Sequence, residues 1–247
     1  MPRLDQALVD RGLCESREKA KRHILAGQAL INGQTANKAS DKVGDGDAIA
    51  LKTTEKFVSR GGLKIEHALK HFGIATEGIA AIDLGASTGG FTDCLLQRGA
   101  ARVYAVDVGR GQLAWKLRQD PRVIVMERTN ARSLTLDSFG PDFEPADLVV
   151  IDCSFISLRK LLPAAVALIR PSGSISALIK PQFEAGKLEA DRGAGVIRDP
   201  EVHDRVIAEL REFVDLLPDA DWKGCTESPL KGPAGNKEFL THIEKLR

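Results

Sequence analysis

The sequence of 247 residues has little of what marks several protein classes. Its four cysteines, at positions 14, 94, 153 and 225, form no C-x-x-C pair and have no histidine at zinc-ligand spacing. Scattered cysteines of this kind are typical of a reducing compartment, so we expect a cytoplasmic protein that binds no metal. No apolar run approaches the roughly 18 residues of a membrane span, and no charged segment precedes an apolar stretch as in a signal peptide. We therefore expect no membrane partner.

The chain also lacks a strong charge of either sign, since its formal net charge is +1. Residues 1–60 hold 11 Lys or Arg against 8 Asp or Glu, and the remainder holds 24 against 26. The small basic excess is therefore N-terminal. The length allows one medium domain and one small domain. A short polar stretch separates them, and we predict domains over 1–52 and 59–247 with a linker over 53–58.

Residues 1–52 carry the patterns of a small α+β module. Apolar spacing and a Ser16 cap predict two short helices, and alternating residues predict short strands. The expected elements are helices over Arg3–Asp10 and Ser16–Leu25 and strands over Gln28–Ile31 and Ala48–Leu51. The dipeptide Asn32-Gly33 is typical of a tight hairpin turn. The second helix is rich in Lys and Arg, which suggests contacts with phosphate groups, although a basic face that meets only solvent explains the pattern equally well.

The stretch from Gly78 to Gly111 predicts one βαβ unit of a parallel sheet. Its first apolar run ends in Asp83, and a glycine-rich turn follows at Gly85–Gly90. A helical pattern comes next, and a second apolar run ends in Asp107, 22 positions after Gly85. Glycine lets a bound molecule approach the backbone because it has no Cβ. An acid after the second strand lies where a ribose diol needs an acceptor, so the unit indicates a nucleoside ligand.

The order of glycines narrows the choice of ligand. The turn is G-x-x-x-G-G, whereas a pyrophosphate favours G-x-G-x-x-G at a helix N-terminus. An acidic Asp83 at the mouth of the turn favours a ligand with a positive end, such as S-adenosylmethionine with its amino group and sulfonium. The residues alone leave two alternatives open: NAD, and a turn whose glycines only tighten the packing.

Apolar runs predict further strands of the same sheet and helices between them. The expected strands are Val123–Met126, Leu148–Ile151, Ser174–Ile179, Trp222–Thr226 and Phe239–Ile243. The expected helices are Phe57–Phe72, Gln112–Arg118, Leu158–Ile169 and Glu201–Leu217, with a turn at Pro171–Gly173. Residues 185–200 are rich in Gly, Pro and charge, and they fit either a loop over the site or a plain connector.

Charged residues follow four of the predicted strands. They are Asp83, Asp107, Asp152 and Lys180. Binding sites in open α/β sheets lie outside the carboxyl ends of the strands, so four such residues on one rim suggest a site. A polar loop after the strand at Val123–Met126 would lie beside an adenine, which makes Asn130 and Ala131 candidates for contact with it. Lys64, taken alone, is better explained by exposure to solvent.

The residue order of the N-terminal module resembles the S-four-like RNA-binding domain, named after a ribosomal protein. The match runs from Arg3 to Leu51 and consists of R-L-D-x-x-L-x-x-x-G, S-R-x-x-A-x-x-x-I-x-x-G, I-N-G and V-x-x-G-D-x-I. The resemblance implies that this module faces structured RNA through Arg3, Arg17, Lys21 and Arg22. Arg60, at the start of the second domain, completes the set of candidate RNA-binding residues.

The chain as a whole resembles the TlyA-type ribosomal RNA 2′-O-methyltransferases, which join an S-four-like domain to an FtsJ-like methyltransferase domain. The resemblance is carried by S-R-G-G-L-K from Ser59, D-L-G-A-S-T-G-G-F-T-D from Asp83, A-V-D-V-G from Ala105, D-C-S-F-I-S-L from Asp152, L-I-K-P-Q-F-E from Leu178 and G-N-K-E-F-L from Gly235. It implies a Rossmann-like class I α/β fold that uses S-adenosylmethionine. Its sheet would be mostly parallel and seven-stranded with an antiparallel last strand, after a small α+β RNA-binding domain.

The resemblance also implies site residues. FtsJ-like enzymes use a Lys-Asp-Lys-Glu set, which corresponds here to Lys64, Asp152, Lys180 and Glu238, and this replaces the solvent-exposed interpretation of Lys64. The candidate cofactor-binding residues are Asp83, Gly85, Ala86, Ser87, Thr88, Gly89, Gly90, Phe91, Asp107, Val108, Asn130, Ala131 and Asp152. The implied partners are ribosomal RNA and ribosomal subunits, with cytidines of 16S and 23S rRNA as the nucleotides.

These residues suit methyl transfer to a ribose. A 2′-hydroxyl is a poor nucleophile at neutral pH, so in-line positioning supplies much of the rate. We assign proton acceptance to Lys180 and its orientation to Asp152, with Lys64 and Glu238 holding the hydroxyl. Phe155 and Phe183 flank the site and are candidates either for stacking on a flipped base or for core packing.

Two other functions fit parts of the pattern. An RNA-binding module with an inactive methyltransferase fold is disfavoured because the Lys-Asp-Lys-Glu set is intact. Some TlyA-type proteins carry the name haemolysin, but a membrane-active toxin is disfavoured because the chain has no apolar or amphipathic segment suited to a pore.

Overall fold

A computed structural model describes residues 1–52, 56–186, 189 and 193–246. The chain divides into two compact units, Met1–Lys56 and Phe57–Arg247, here called the N-terminal and C-terminal units. The predicted linker over 53–58 falls in part on residues 53–55, which lie outside the described residues. None of the helices within the described ranges is both long enough and apolar enough to cross a membrane.

The N-terminal unit is a pair of helices on a small antiparallel sheet. Its elements are α1 (Leu4–Asp10), α2 (Arg17–Leu25), β1 (Ala29–Ile31), β2 (Gln34–Thr35) and β3 (Ile49–Leu51). The predicted cap is confirmed, because Ser16 Oγ accepts a hydrogen bond from the Lys19 amide at 3.3 Å. The predicted hairpin is confirmed as well. Asn32 and Gly33 both have positive φ, 51° and 80°, which is the geometry of a tight two-residue turn.

The C-terminal unit alternates strands and helices. Its helices are α3 (Gly61–His71), α4 (Gly90–Gln97), α5 (Trp115–Arg118), α6 (Leu162–Leu168), α7 (Pro181–Glu184) and α8 (Pro200–Asp215). Its strands are β4 (Ala80–Leu84), β5 (Arg102–Val106), β6 (Val123–Met126), β7 (Ala146–Ile151), β8 (Ile169–Ile179), β9 (Ala220–Glu227) and β10 (Phe239–Lys245).

These strands form one seven-stranded sheet in the order β6-β5-β4-β7-β8-β10-β9. Pairs from β6 to β8 are parallel, and β10 is antiparallel to both of its neighbours. The predicted fold class is therefore confirmed. The chain leaves β4 in one direction toward β5 and β6 and returns beside it as β7, which opens a crevice at the carboxyl ends of β4 and β7. The register Leu84↔Ile151 brings Gly85 and Asp152 side by side at that crevice.

Two apolar clusters cover the two faces of the sheet. Ile82 and Leu84 point into one of them and Ala81 into the other, as the alternation of a strand requires. A sheet buried on both faces explains why its central strands read as continuous apolar runs. Alternation also places Asp83 on the same face as Ala81, beneath α4.

Several predicted elements differ from the structure, among them α5, which begins at Trp115 rather than at Gln112. Helix α3 begins at Gly61 rather than at Phe57, because the Phe57 ring folds back onto the helix. A Cβ on Gly62 would lie 2.2 Å from that ring. The predicted helix over Leu158–Ile169 is divided into a 3₁₀ turn, Leu158–Lys160, and α6. Pro163 lies in the first turn of α6, a position that suits a proline because it has no amide hydrogen to donate.

The predicted turn at Pro171–Gly173 lies inside β8. Pairing with β7 passes from Ala146↔Ile169 to Leu148↔Ser174, so extra residues of β8 bulge out of the register. Ser172 has a φ of 59° at this bulge. The local turn signal is therefore correct, but the strand continues through it.

The structure describes part of the predicted loop over 185–200. Residues 187, 188 and 190–192 lie outside the described residues. Beyond them, the side chain of buried Asn236 binds the end of the segment. Its Oδ1 accepts a hydrogen bond from the Ile197 backbone N–H at 2.8 Å, and its Nδ2 donates one to the Gly195 carbonyl at 2.8 Å. The end of this segment is thus attached to the turn that precedes β10.

Candidate active site

Two cavities adjoin at the carboxyl edge of the sheet. The lysine cavity has a volume of about 300 Å³ and contains all four residues of the Lys-Asp-Lys-Glu set in its wall. The aspartate cavity has a volume of about 510 Å³ and is lined by Asp107, Val108, Asn130 and Ala131, among others. Residues shared by both walls are Gly85, Ser87, Asp152 and Ser154. The glycine turn at residues 85–90 therefore separates two adjoining spaces.

Gly85 allows the ends of β4 and β7 to come close together. Its φ is 88°, and a Cβ there would lie 2.9 Å from the Asp152 carbonyl oxygen. Any side chain at this position would push Asp152 away from the turn. Ala86, Thr88, Gly90 and Phe91 of the predicted cofactor set line the lysine cavity.

Gly89 is required by the packing of the glycine turn against the segment that leads into α5. It lies outside the described lining of both cavities. Its φ is 95°, and a Cβ there would lie 2.2 Å from Leu117 and 2.8 Å from Leu113. Gly89 thus has a packing role, and its contact with the cofactor stays a prediction. Gly90 lines the lysine cavity and is also packed tightly, since a Cβ there would lie 2.3 Å from Ser59 Oγ.

Asp83 is fully buried beneath the turn rather than at its mouth, so its expected location is wrong. Strand alternation turns it toward α4, where its Oδ2 accepts from the Thr92 amide at 3.0 Å and the Thr92 hydroxyl at 2.7 Å. Its Oδ1 is buried and finds no hydrogen-bond partner among the described residues. Burial, with a further contribution from the nearby Asp152 and Asp107 carboxylates, raises the pKa of Asp83 to about 7 although the Thr92 bonds oppose the shift.

Asp107 is held at the end of β5 by two backbone amides. Its Oδ2 accepts from Ser87 N at 2.8 Å and its Oδ1 from Gly109 N at 2.7 Å. The neighbouring Asn130 side chain accepts from the Arg132 amide at 3.1 Å and starts the short 3₁₀ helix Ala131–Ser133. Asp107, Val108, Asn130 and Ala131 form one continuous wall of the aspartate cavity.

Lys180 is a highly connected side chain of the lysine cavity. Its Nζ lies 2.6 Å from Asp152 Oδ1 and donates to the Cys153 carbonyl at 3.1 Å and to Ser154 Oγ at 2.9 Å. The side chain is buried, with 9% of its surface exposed, whereas Asp152 is partly open to the cavity. A buried ammonium needs this many acceptors because it has three hydrogens to place.

Lys64 and Glu238 form the second ion pair of this cavity. Lys64 Nζ lies 2.5 Å from Glu238 Oε2, and their side chains are 11% and 1% exposed. Lys64 comes from the first turn of α3 and Glu238 from the residue before β10, 174 positions apart in the chain. The antiparallel register Phe239↔Ile179 places Glu238 beside Lys180. The structure therefore brings together the four residues from four separate segments.

Sequence reasoning missed several residues of the site. Ser154 follows Asp152 closely in the quoted D-C-S-F segment, so its position after the strand was a usable signal. Leu230, Lys231 and Pro233 also line the lysine cavity, but they belong to a turn-rich stretch whose composition gives no indication of this. Within the described ranges, no group of three or more His, Cys, Asp or Glu side chains could hold a metal ion.

Phe155 is 91% exposed, with a φ of 62°. Its ring centroid lies 5.2 Å from that of Phe183. Core packing is therefore excluded for Phe155, and its conformation is one that bulky side chains adopt only where the surroundings enforce it.

The candidate RNA-binding residues fall into two groups. Arg3 and Arg17 both donate to the buried Asp5, at 3.0 and 2.9 Å, and the Arg17 contact joins α2 to α1. Burial alone would raise the pKa of Asp5, but the two guanidinium groups outweigh it and lower the pKa to about 2. Lys21 and Arg22 are exposed, as is Arg60 on the rim of the lysine cavity. Arg3 and Arg17 thus have a structural role in addition to any contact with RNA.

Comparison with known proteins agrees with this architecture. The FtsJ-like methyltransferase model matches residues 57–245. The chain belongs to the FtsJ-like methyltransferase family. The S4 domain model matches residues 2–49 of this FtsJ-like methyltransferase. The predicted family resemblance is therefore confirmed in both parts of the chain.

Its relatives carry two kinds of name. The 16S/23S rRNA (cytidine-2′-O)-methyltransferase TlyA of Mycobacterium tuberculosis is 48% identical over 243 residues, which cover 96% of this chain and 88% of that protein. Hemolysin A of Brachyspira hyodysenteriae is 40% identical, covering 98% of this chain and 99% of that protein. A solved structure described as a hemolysin from Streptococcus thermophilus is 44% identical, covers 99% of this chain and 88% of that one, and superposes with a TM-score of 0.74.

More distant structures share the fold alone. Solved methyltransferases of 13 to 19% identity superpose on this FtsJ-like methyltransferase with TM-scores of 0.50 to 0.55. Three of them hold S-adenosylhomocysteine.

Proposed function

We propose that this chain is an S-adenosylmethionine-dependent methyltransferase that methylates the ribose 2′-hydroxyl of cytidines in ribosomal RNA, of the 23S or 16S type or both. The observation that carries the proposal is the lysine cavity. Two buried lysines, each paired with a carboxylate, face one space that adjoins the glycine turn. The rRNA (cytidine-2′-O) activity named for the Mycobacterium tuberculosis relative supports the choice of substrate.

The residues present fit S-adenosylmethionine. Buried Asp83 Oδ1 lies beneath the glycine turn and finds no donor among the described residues, which suits a cationic ligand bound at the turn. A Cβ at Gly85 would meet the Asp152 backbone, so the glycine keeps the turn next to Asp152 in the wall shared by both cavities. Asp107 would hold the ribose hydroxyls, and Asn130 and Ala131 would flank the adenine. When bound, the cofactor supplies an electrophilic methyl group.

The chain's own residues would prepare the hydroxyl. Lys180, oriented by Asp152, accepts the hydroxyl proton, and the Lys64–Glu238 pair holds the oxygen in line. Both lysine side chains are largely removed from solvent, so their interactions with charged groups are stronger than they would be in water. This division of roles assigns a separate task to each ion pair.

The N-terminal unit would supply most of the RNA affinity. Exposed Lys21 and Arg22, with the exposed parts of Arg3 and Arg17, present positive charge to the phosphate backbone. In the C-terminal unit, Arg60 lies on the rim of the lysine cavity, and the exposed Phe155 ring next to Phe183 would stack on a base turned out of the RNA.

A test of the assignment compares Lys180→Ala with Lys160→Ala, a lysine exposed on the same unit. We expect Lys180→Ala to lose methyl transfer to ribosomal subunits by at least about 10²-fold while it still binds S-adenosylmethionine by calorimetry. Lys160→Ala should transfer methyl groups normally. Normal transfer by Lys180→Ala would contradict the assignment of proton acceptance.

The methyl-transfer assay and a vesicle-leakage assay together separate the alternatives. An inactive RNA-binding module would bind subunits without transferring methyl groups in any variant. A membrane-active protein would release contents from lipid vesicles, an outcome that the proposed enzyme does not produce.

A further inference from the structure

Ser154 lies where the two cavities meet. It belongs to both walls, together with Gly85, Ser87 and Asp152. A group transferred from a donor in the aspartate cavity to an acceptor in the lysine cavity has to pass these residues. Ser154 is the one among these four shared residues whose hydroxyl contacts Lys180, at 2.9 Å.

Of the three groups that accept hydrogen bonds from Lys180, the Ser154 hydroxyl is the one that can also donate a hydrogen bond. Asp152 is bound to it as a close ion pair, and the Cys153 carbonyl belongs to the backbone. The Ser154 side chain is exposed to the cavities, so its hydroxyl can rotate. As an ammonium, Lys180 uses all three hydrogens on these acceptors and cannot take another proton. As a neutral amine, it has a lone pair that the Ser154 hydroxyl can reach as a donor.

The other shared residues cannot replace this hydroxyl. Gly85 has no side chain, and Asp152 already receives the Lys180 ion pair. The Ser87 backbone amide donates to Asp107 Oδ2, and the Ser87 hydroxyl donates to Gln112 Oε1 at 3.4 Å. The backbone next to Ser154 is also constrained, because Phe155 has a φ of 62°.

We propose that Ser154 relays the proton from the substrate hydroxyl to Lys180, an inference that rests on the proposed ribose methylation. The 2′-O–H bond breaks and its proton moves to Ser154 Oγ, while the Ser154 hydroxyl proton moves to the lone pair of Lys180 Nζ. The ribose oxygen forms its new bond to the methyl carbon, and the electrons of the carbon–sulfur bond remain on sulfur as a neutral thioether. Lys180 ends as the ammonium with the three contacts seen in the structure.

The geometry gives Ser154 a second task. A hydroxyl can accept from the ribose and donate to the lysine at the same time. It thereby fixes the distance of the ribose oxygen from Lys180. Ser154 is in this account a catalytic residue, since it touches the reacting oxygen.

The experiment uses the full chain with ribosomal subunits in single-turnover reactions. The variants are Ser154→Ala, Ser154→Thr, which keeps a hydroxyl, and Ser138→Ala, an exposed serine of the same unit, as the control. Binding of S-adenosylmethionine and of subunits is measured separately for each variant. Wild-type rates in mixtures of light and heavy water report how many protons move in the slow step.

We expect Ser154→Ala to lower the single-turnover rate by about 10²-fold with unchanged binding of cofactor and subunits. Ser154→Thr should recover the rate to within about tenfold of wild type, and Ser138→Ala should have no effect. The wild-type rate should fall with a curved dependence on the fraction of heavy water, because two protons move.

A wild-type rate in Ser154→Ala would overturn the relay and leave the proposed function standing. An Ala variant that loses rate only because it binds cofactor or RNA less well would also overturn it, as would failure of Thr to recover activity. A wild-type chain that methylates no ribosomal RNA would overturn the relay and the proposed function together.

Discussion

At the scale of single residues, the two lysines of the site are stabilised in different ways. Lys180 shares its charge among a carboxylate, a carbonyl and a hydroxyl. Lys64 has Glu238 as its close ionic partner, and both side chains are almost completely removed from solvent. Removing one member of a buried pair leaves the other charge without compensation, whereas removing both costs much less.

A double-mutant cycle tests this description of the Lys64–Glu238 pair. Glu238→Leu should lower the free energy of unfolding by about 3 kcal/mol because Lys64 stays charged and buried. Lys64→Met combined with Glu238→Leu should recover most of that loss while methyl transfer stays absent. Denaturation followed by tryptophan fluorescence reports on the C-terminal unit, which contains both tryptophans. Equal destabilisation of the single and double variants would contradict the pairing.

At the scale of elements, three glycines within the six residues of the turn each allow a different pair of elements to pack closely. Gly85 keeps β4 close to β7, Gly89 makes room for α5, and Gly90 lets α4 approach α3. Only the first and last of these also shape a cavity wall. The turn therefore fixes the packing of the unit as much as it serves a ligand.

Two glycine substitutions separate backbone strain from packing. Gly111 has a φ of 71°, and a Cβ added there would meet nothing within 4 Å, so Gly111→Ala should cost about 1 kcal/mol through φ alone. Gly89→Ala adds an overlap with the buried Leu113 and Leu117 and should cost about 2 to 3 kcal/mol. Denaturant titration of both variants measures the difference. Equal losses would contradict the packing role of Gly89.

The elements that the sequence predicted well are those whose signals are local. Apolar runs that end in a charged residue located β4, β5, β7 and β8, and the Ser16 cap located α2. The burial of Asp83 was not predicted because a run of apolar residues does not reveal which face of the sheet its last residue meets. The bulge in β8 was missed for a related reason, since pairing with β7 joins distant parts of the chain.

At the scale of the whole molecule, two units divide the work that the proposal requires. The N-terminal unit matches the S4 domain model and presents Lys21 and Arg22 at its surface. The C-terminal unit matches the FtsJ-like methyltransferase model and contains both cavities. The family resemblance predicted this organisation from the sequence. The Lys64 and Glu238 placements also depended on it, because periodicity alone gave Lys64 no role.

The central claim is that a ribose oxygen, rather than a base atom, is methylated by the residues of the lysine cavity. Its most direct test treats ribosomal subunits with the purified chain and S-adenosylmethionine, digests the RNA to nucleosides and identifies the methylated nucleoside by mass spectrometry. The account predicts 2′-O-methylcytidine with the wild-type chain and none with Lys180→Ala. A methyl group on a base, or equal yields of 2′-O-methylcytidine from both proteins, would contradict it.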